Sequence, residues 1–356
     1  MIKVMAAMSG GVDSSVAAYM LKAQGYEVTG VTMKLFSNED IGIEKERSCC
    51  SLDDISDARS VAAKMDIPHY VFDFSAEFKN DVIERFVGTY VCGATPNPCI
   101  DCNRYIKFDK MARRAEQLGF NKIATGHYAV IQKGSCGRYL LRKGFDRAKD
   151  QSYVLYSLTQ RQLARTLLPL GMITKDTVRD IAKMEGFINA RKKDSQDICF
   201  VKSGNYAEFI EKYRGVQSEQ GDFIDKEGNF IGHHKGIIRY TIGQHKKLGA
   251  VPSQQGLRVI SKDPVGNTIT LDTEENMYCR TVYIKDLNLI PFDIIKSPLR
   301  ISAKVRYRQE EQPAIAEQTE KDMIRIDFEK PQRAPAKGQA AVMYDGDIVI
   351  GGGTIE

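Results

Sequence analysis

The sequence predicts an α/β fold in which an open parallel sheet at the N-terminus is followed by β-rich parts. Strand and helix patterns alternate from residue 2 to residue 131, as they do in parallel sheets with helices on both faces. After about Tyr213 the pattern changes to short alternating strands that are separated by Gly and Asn turns. A second break falls at residues 291–298, so we expect the 356 residues to form three parts.

The elements of the N-terminal part follow from the spacing of its apolar residues. Apolar or alternating runs predict strands, whereas apolar residues spaced three and four apart predict helices. Helical patterns also run from Gln160 to Gly186. The predicted strands are 2–8, 27–36, 69–74 and 122–131, and the predicted helices are 14–25, 53–67 and 107–119.

The composition excludes membrane-spanning and disulfide-rich classes of protein. Hydrophobic residues make up 42% of the chain and charged residues 27%, as in soluble globular proteins. No apolar run approaches the roughly 18 residues of a membrane span, and the N-terminus lacks the pattern of a signal peptide. We therefore expect a cytoplasmic protein without a membrane partner. Its eight cysteines are expected to be thiols, and its net charge of +5 permits an RNA partner.

The segment SGGVDSS, at residues 9–15, lies between the first strand and the first helix. Gly10 and Gly11 permit a tight turn, and the helix that follows presents unpaired N–H groups and a positive dipole end to an anion. The serines add hydroxyl donors, while Asp13 can hold Mg²⁺ or cap the helix. The lysine of a Walker A loop is missing. In this context the segment favours a nucleotide site over a serine-capped glycine turn.

The same segment resembles the S-G-G-x-D-S pyrophosphatase loop (PP-loop) of ATP-dependent adenylating enzymes. In those enzymes ATP is cut between its α- and β-phosphates, and AMP is transferred to an oxygen that later leaves. The resemblance implies ATP and Mg²⁺ as cofactors and says little about the substrate.

Two further segments carry cysteines whose local sequence leaves their role open. In TPNPCIDCN, Cys99 and Cys102 are three residues apart and follow a pair of prolines. Such a pair can hold a metal, form a redox disulfide, attack a substrate or fill a core. Cys199, in SQDICFV, stands between two apolar residues, which on local sequence alone favours a buried hydrophobe. Cys92, Cys136 and Cys279 are expected to be structural, and Cys49 and Cys50 are given no role.

Several blocks together resemble the tRNA-specific 2-thiouridylase family. They are AAMSGGVDSSVAA, TPNPCIDCNRYIKF, ATGHYA, KDQSYVLY, KKDSQDICFV, HKGIIRYTIGQ, VRYRQ and KGQAAVMYDGD, and they extend over almost the whole chain. The resemblance implies an adenine-nucleotide α-hydrolase-like (PP-loop) domain at 1–203, a small central α/β domain at 204–285 and a tRNA-contacting β-barrel at 286–356. The implied enzyme is a sulfurtransferase, which replaces the C2 oxygen of the wobble uridine by sulfur in tRNAs for lysine, glutamate and glutamine.

The resemblance also implies roles for the cysteines. Cys102 is the thiol that attacks the activated C2 or releases sulfide onto it, and Cys199 accepts a persulfide from a donor protein. Attack by one thiol on the persulfide of the other leaves a transient Cys102–Cys199 disulfide, which a reductant must reopen.

The chain departs from the family at Cys99, where many members carry an aspartate, and Asp101 is out of register to replace it. Because of this extra cysteine, a second kind of sulfur carrier is possible. Cys99, Cys102 and Cys199 can ligate a [4Fe–4S] cluster whose free iron holds hydrosulfide. A zinc site lacks an evident fourth ligand. The persulfide relay and the cluster remain alternatives at this point.

The family pattern places the remaining site residues. Met33 would lie under the adenine, and Gly126 would let the nucleotide approach the backbone; Asp13 also counts as catalytic. ATP binding is carried over to Ala7, Met8, Ser9, Gly10, Gly11, Val12, Asp13, Ser14, Met33 and Gly126. Asn97, Pro98 and Cys99 would border the target base, and tRNA contacts are carried over to His127, Lys149, Asp150, Gln151, Arg306, Tyr307 and Gln339.

Independently of the family, RISAKVRYR at residues 300–308 spaces its cations evenly. In a strand, Arg300, Lys304, Arg306 and Arg308 would share one face and form a positive stripe for phosphates.

Two other functions explain part of the sequence. An ATP-dependent ligase or amidotransferase would use the loop but has no need of both Cys102 and Cys199. An RNA-binding protein with a structural metal at Cys99 and Cys102 would leave SGGVDSS without a purpose.

Overall fold

The computed structural model describes residues 1–37, 52–194, 197–201, 204–249 and 256–356. It confirms the predicted architecture: a parallel sheet with helices, then a small central unit, then a closed β-barrel. Across those ranges no helix has the length and apolar character that crossing a membrane requires.

The N-terminal sheet consists of five parallel strands in the order β3-β2-β1-β4-β7. The central strand β1 is Lys3–Ala7, and it pairs with β2 on one side and β4 on the other. Its residues alternate between two hydrophobic cores, with Val4 and Ala6 in one and Met5 in the other. Burial on both faces explains why the strand reads as an unbroken apolar run. The other strands are β2 (Glu27–Lys34), β3 (His69–Asp73), β4 (Lys122–Ala124) and β7 (Thr166–Leu167).

Helices cover both faces of this sheet. They are α1 (Val12–Ala23), α2 (Leu52–Lys64), α3 (Ser75–Phe78), α4 (Glu84–Val91), α5 (Pro98–Asp101), α6 (Met111–Gln117), α7 (Gln160–Arg165) and α8 (Lys175–Met184). Two π-helical stretches (Lys79–Ile83 and Cys102–Lys110) and two 3₁₀ turns (Ser152–Leu155 and Pro169–Met172) join them.

The predicted helix at 107–119 begins earlier than expected. Helical backbone starts at Pro98 and continues through the π-helical stretch Cys102–Lys110 into α6. Proline suits the first helical position because its missing N–H would have no partner there. The cysteine segment is therefore part of a helix rather than of the loop before it.

The predicted strand 122–131 is also wrong, because it is two strands in different sheets. β4 ends at Ala124, and β5 (Ala129–Lys133) pairs instead with β6 (Tyr139–Lys143). Gly126 lies in the turn between them, close to the segment SGGVDSS at residues 9–15, which we call the phosphate loop. A Cβ at Gly126 would be 2.8 Å from the Asp13 carbonyl carbon and the Ser14 nitrogen. At this turn the chain leaves the parallel sheet.

We expect Gly126→Ala to destabilise the protein by about 1–3 kcal/mol, because the added methyl group meets backbone that cannot rotate away. Gly88→Ala is the matched control, since a Cβ at Gly88 meets nothing within 4 Å and alanine favours the helix α4. Urea unfolding followed by circular dichroism measures both. Equal stability of the two variants would contradict the close packing of the turn on the loop.

The central unit combines one helix with a four-stranded sheet in the order β10-β11-β8-β9. Its core is formed by Phe223, Tyr240, Val259, Ile269 and Leu271. The elements are α9 (Tyr206–Arg214), β8 (Gly221–Ile224), β9 (Phe230–His234), a 3₁₀ turn (Ile237–Arg239), β10 (Arg258–Asp263) and β11 (Thr268–Asp272).

The C-terminal barrel has the strand order β12-β15-β14-β13-β16-β17, and pairing of β12 with β17 closes it. The β5–β6 hairpin of the N-terminal part joins its sheet at β17, where Ile348 pairs with Arg142. The expected domain boundary between residues 285 and 286 falls inside β12. After a 3₁₀ turn (Glu274–Met277), the strands are β12 (Tyr278–Leu289), β13 (Leu299–Lys304), β14 (Gln312–Glu320), β15 (Met323–Arg333), β16 (Ala340–Asp345) and β17 (Ile348–Ile355).

The predicted positive stripe at 300–308 is wrong. β13 ends at Lys304, whose side chain is buried and lies 5.6 Å from the ring centre of Tyr153 and 5.5 Å from that of Tyr344. Arg306 lies in the turn that follows and donates a hydrogen bond to the Ala334 carbonyl at 2.5 Å. The alternation that defines a strand face stops where the strand stops, so these cations do not share one face.

Candidate functional site

The phosphate loop is compact, with a glycine at a close approach and hydrogen bonds among its own residues. Gly10 has a φ of +76°, and a Cβ there would overlap the backbone of Asp54. The Ser14 and Ser15 hydroxyls donate to the Gly11 carbonyl at 3.0 and 3.1 Å. Gly11 is the N-cap residue of α1 and there is no side-chain cap, so Asp13 does not cap the helix.

Asp13 instead accepts hydrogen bonds from two side chains that lie far away in the sequence. The Tyr128 hydroxyl is 2.7 Å from Oδ1, and the Lys175 ammonium is 2.7 Å from Oδ1 and 2.8 Å from Oδ2. Lys175 is only 6% exposed and also pairs with Asp194 at 2.8 Å. Sequence reasoning missed Lys175, because no motif marks the start of α8.

Asp194 connects this part of the loop to a residue expected to contact tRNA. It accepts from Lys149 at 2.8 Å and from Arg179 at 3.1 Å, in addition to Lys175. Burial opposes ionisation of Asp194, but the hydrogen bonds from Lys149 and Lys175 outweigh it and lower its pKa to about 2. Asp194 is thus a carboxylate shared by three cations, and it lies in the KKDSQDICFV block.

Two residues that follow α8 make further hydrogen bonds, one to the phosphate loop and one to α2. The Asn189 amide donates to the Gly10 carbonyl at 3.0 Å and to the Ser15 hydroxyl at 2.9 Å. Lys192 lies 2.5 Å from Asp54 and 2.6 Å from Asp57, both on α2. These contacts were not predicted either.

The other residues that are expected to bind ATP lie in the phosphate loop or in the two hydrophobic cores of the sheet. Met8 and Val12 are buried in the core under α1, whereas Ser9 is exposed. Ala7 and Met33 are partly buried against the core on the opposite face of the sheet.

Cys102 lies at the start of the π-helical stretch and is 8% exposed, whereas Cys99 is exposed. The next residue, Asn103, is buried, and its amide donates to the Val154 carbonyl at 3.0 Å. This bond ties the helix to the 3₁₀ turn at 152–155. π-Helical backbone is often found at functional sites. Here it places Cys102, the candidate nucleophile, in the hydrophobic core that also contains Met5.

The barrel holds the segment that leads into α5. The Gln339 amide donates to the carbonyls of Thr95 and Pro96, both at 3.1 Å, and the Thr95 N–H donates to Lys337 at 2.7 Å. A cavity of about 460 Å³ lies between this segment and the barrel, and Asn97 and Asp101 are among its lining residues. Burial raises the pKa of Asp101 to about 6, although Arg85 lies 3.6 Å away.

The segment of Cys199 packs on the same core as Cys102. Cys199 is exposed, but the next residue, Phe200, is 1% exposed and makes edge-to-face contact with Phe86 at 5.1 Å between ring centres. Phe200 and Cys102 belong to one hydrophobic cluster. The fold therefore brings two segments that are about a hundred residues apart to one core.

The described residues contain no group of three His, Cys, Asp or Glu side chains that could hold one metal ion. Cys99, Cys102 and Cys199 are all among the residues described, so they do not form a three-thiolate site in this conformation. The cluster alternative does not fit this arrangement.

The turn at residues 125–128 contacts both the phosphate loop and the helical segment 98–117, which we call the cysteine helix. Gly126 touches the backbone of Asp13 and Ser14, as described above. The next residue, His127, packs on Phe108 of the π-helical stretch, with 5.8 Å between ring centres. His127 is buried and shares a 2.7 Å hydrogen bond with the Thr125 hydroxyl, and burial lowers its pKa well below the usual range.

Residues assigned to tRNA from two distant segments meet beside this turn. The Gln151 side-chain oxygen accepts from the Tyr128 N–H at 2.9 Å, and the Tyr307 hydroxyl donates to the Asp150 carbonyl at 3.1 Å. Burial, with Asp150 and Cys99 nearby, raises the pKa of Tyr307. The barrel turn at 305–308 therefore lies next to the loop at 149–151.

Three domain families match the chain in order. They are the tRNA methyl transferase HUP domain at residues 2–203, the tRNA methyl transferase PRC-barrel domain at 207–272 and the aminomethyltransferase beta-barrel domain at 279–355.

Curated relatives match over nearly the full length. The tRNA-specific 2-thiouridylase MnmA of Clostridioides difficile strain 630 is 51% identical over 355 residues, which cover 99% of this chain and 98% of that protein. MnmA 1 of Clostridium botulinum strain Loch Maree is 47% identical, with 99% of each chain covered. A 4-thiouridine synthetase solved with RNA and ATP is 18% identical, covers 59% of this chain and 50% of its own, and has a TM-score of 0.38. The chain belongs to the tRNA-specific 2-thiouridylase MnmA family.

Proposed function

We propose that the protein is a tRNA 2-thiouridylase that activates the C2 oxygen of the wobble uridine with ATP and replaces it by sulfur. The products are 2-thiouridine, AMP and pyrophosphate. One structural observation supports a single site for both steps: adjacent residues of one turn, Gly126 and His127, touch the phosphate loop and the cysteine helix.

The loop serves the first step. Its N–H groups at the start of α1 suit the phosphates of ATP, and Asp13 is the loop residue whose carboxylate suits Mg²⁺. The uridine C2 oxygen attacks the α-phosphorus, and pyrophosphate leaves. A uracil carbonyl oxygen is a poor leaving group, so its conversion into AMP is what makes substitution at C2 possible.

The thiols serve the second step. The Cys102 thiolate attacks Sγ of the Cys199 persulfide, the S–S bond of the persulfide breaks, and its terminal sulfur departs as hydrosulfide. Hydrosulfide attacks C2, the C–O bond breaks with the release of AMP, and a proton is lost. The Cys102–Cys199 disulfide that remains requires a two-electron reductant before the next cycle.

The partners follow from this chemistry. The sulfur enters from a donor protein that carries a persulfide, and the proposed acceptors are the tRNAs for lysine, glutamate and glutamine. In this proposal residues 1–203 carry both chemical steps, residues 204–285 form a central domain, and the barrel contacts the tRNA. A flipped wobble base in a single-stranded anticodon loop can reach a buried thiol at little cost.

The test is thiolation of unmodified tRNA by the purified protein with ATP, Mg²⁺, a reductant and a persulfide donor. We expect 2-thiouridine at the wobble position by nucleoside mass spectrometry, with none formed when ATP is omitted. Consumption of ATP without 2-thiouridine, or formation of an amide product, would favour the ligase or amidotransferase class instead.

A further inference from the structure

The barrel strand β12 contains a bulge at residues 285–288. Over this range β12 advances by three residues while its partner β17 advances by two, so β12 carries one extra residue. Asp286, within the bulge, has a φ of +54°, and the N–H of Leu287 donates to the Asp322 carboxylate at 2.9 Å. Bulges change the direction of a side chain and are common beside active sites. The irregular backbone thus sets the direction in which Asp286 points.

The Asp286 carboxylate binds Arg104 of the cysteine helix. The guanidinium group donates two hydrogen bonds to it, with 2.8 Å between Nη2 and Oδ1. Two parallel bonds between a guanidinium group and a carboxylate fix the orientation of both groups as well as their distance. The Arg104 guanidinium also lies 5.4 Å from the ring centre of Tyr105. The barrel therefore holds Arg104 in one direction.

Asn288, at the end of the bulge, holds a second segment that is bound to the cysteine helix. Its amide donates to the carbonyls of Tyr156 and Leu158, at 2.6 and 3.0 Å. These residues follow the 3₁₀ turn to which the Asn103 amide donates. The bulge, the cysteine helix and the segment after the 3₁₀ turn are thus joined to one another by side-chain hydrogen bonds.

Cys102 lies in the part of the helix that these contacts hold. Residues two positions apart in helical backbone point in roughly opposite directions. Arg104, two positions after Cys102, therefore fixes how this part of the helix is rotated about its axis, and that rotation sets the direction of the Cys102 side chain. Because Cys102 is 8% exposed, a small rotation changes which neighbours its thiol can reach.

We propose that Arg104 and Asp286 are positioning residues for sulfur transfer: through their ion pair, the barrel sets the direction of the Cys102 thiol. Neither residue takes part in making or breaking a bond. The inference rests on the proposed function in taking Cys102 as the attacking thiol. It gives the barrel a part in the second chemical step, in addition to the contact with tRNA that we propose for it.

The test is a double-mutant cycle with Arg104→Gln, Asp286→Asn and both changes together. Asparagine suits the positive φ at position 286, and a partly exposed ion pair contributes little to stability, so each variant should fold. Protein with a persulfide on Cys199 is mixed with excess tRNA and ATP, and pyrophosphate and 2-thiouridine are followed in one turnover. In each single variant 2-thiouridine formation should slow by about 10-fold or more, because the thiol is misplaced, while pyrophosphate release stays within about twofold.

The double variant should be no slower than either single variant, because both substitutions break the same contact. Arg325→Gln is the matched control: it breaks a partly exposed ion pair with Glu317 in the same barrel and should change neither rate.

Three results would overturn the proposal. They are unchanged 2-thiouridine formation in the single variants, losses that multiply in the double variant, and a slowing of pyrophosphate release equal to that of thiolation, which would show a general disturbance of the fold. Failure of the unmodified protein to form 2-thiouridine would contradict the proposed function itself, so the two failures can be told apart.

Discussion

Cys102→Ser and Cys199→Ser each reduce 2-thiouridine formation to background, whereas Cys99→Ala retains it. A serine hydroxyl can neither carry a persulfide nor displace one, so either change stops the relay. Cys99 is exposed and has no role in the relay. Nucleoside mass spectrometry of tRNA incubated with each variant, ATP and a persulfide donor measures the effect.

Adenylation provides the internal control for these variants. Cys199→Ser should still release pyrophosphate and form adenylated tRNA, because the loop and Asp13 are intact. Normal thiolation by Cys199→Ser would rule out the relay. Loss of activity in Cys99→Ala, together with loss of about four irons per chain from anaerobically purified protein, would restore the [4Fe–4S] alternative.

Asp13→Ala lowers the rate of AMP formation by about 100-fold or more and leaves tRNA affinity unchanged. The change removes the carboxylate of the loop that suits Mg²⁺, and it leaves the buried Lys175 with Asp194 alone. AMP formation is measured with labelled ATP, and tRNA affinity by filter binding at fixed salt, since salt alone alters such affinities.

Asp13→Asn separates charge from shape in the same experiment. The amide still accepts a hydrogen bond from Tyr128, so the loop should keep its form while ATP turnover is lost. A variant at Asp13 that also releases the tRNA would show that the loop contributes to RNA binding, contrary to the proposed division between loop and barrel.

Local patterns in the sequence located the parts of the site that are continuous in the chain. The strand, loop and helix around SGGVDSS follow from residues that are adjacent, and β1 and α1 lie where the pattern places them, within two residues. The change to short strands after Tyr213 indicated that the later parts are rich in β-structure, whereas the barrel itself was implied by the family resemblance. The helix predicted at 107–119 begins nine residues earlier, at Pro98, because a π-helical stretch does not repeat its apolar residues at the usual α-helical spacing.

Contacts between residues that are far apart in the sequence could not be predicted from local sequence patterns. Lys175 and Asp13 are 162 positions apart and meet only because α8 packs beside α1. Gly126 appeared to be a glycine for the nucleotide, whereas the structure also requires it for contact with the loop backbone. The stripe at 300–308 failed for a related reason: the end of β13 depends on how the barrel closes, which no residue in the stripe encodes.

The central claim is that one site couples adenylation to sulfur transfer, and product stoichiometry tests it most directly. Protein carrying a persulfide on Cys199 is mixed with excess unmodified tRNA and ATP without further donor, and AMP and 2-thiouridine are counted in a single turnover. We predict one AMP for each 2-thiouridine, with a Cys102–Cys199 disulfide formed in equal amount. AMP release that is unrelated to 2-thiouridine, or thiolation without AMP, would contradict it.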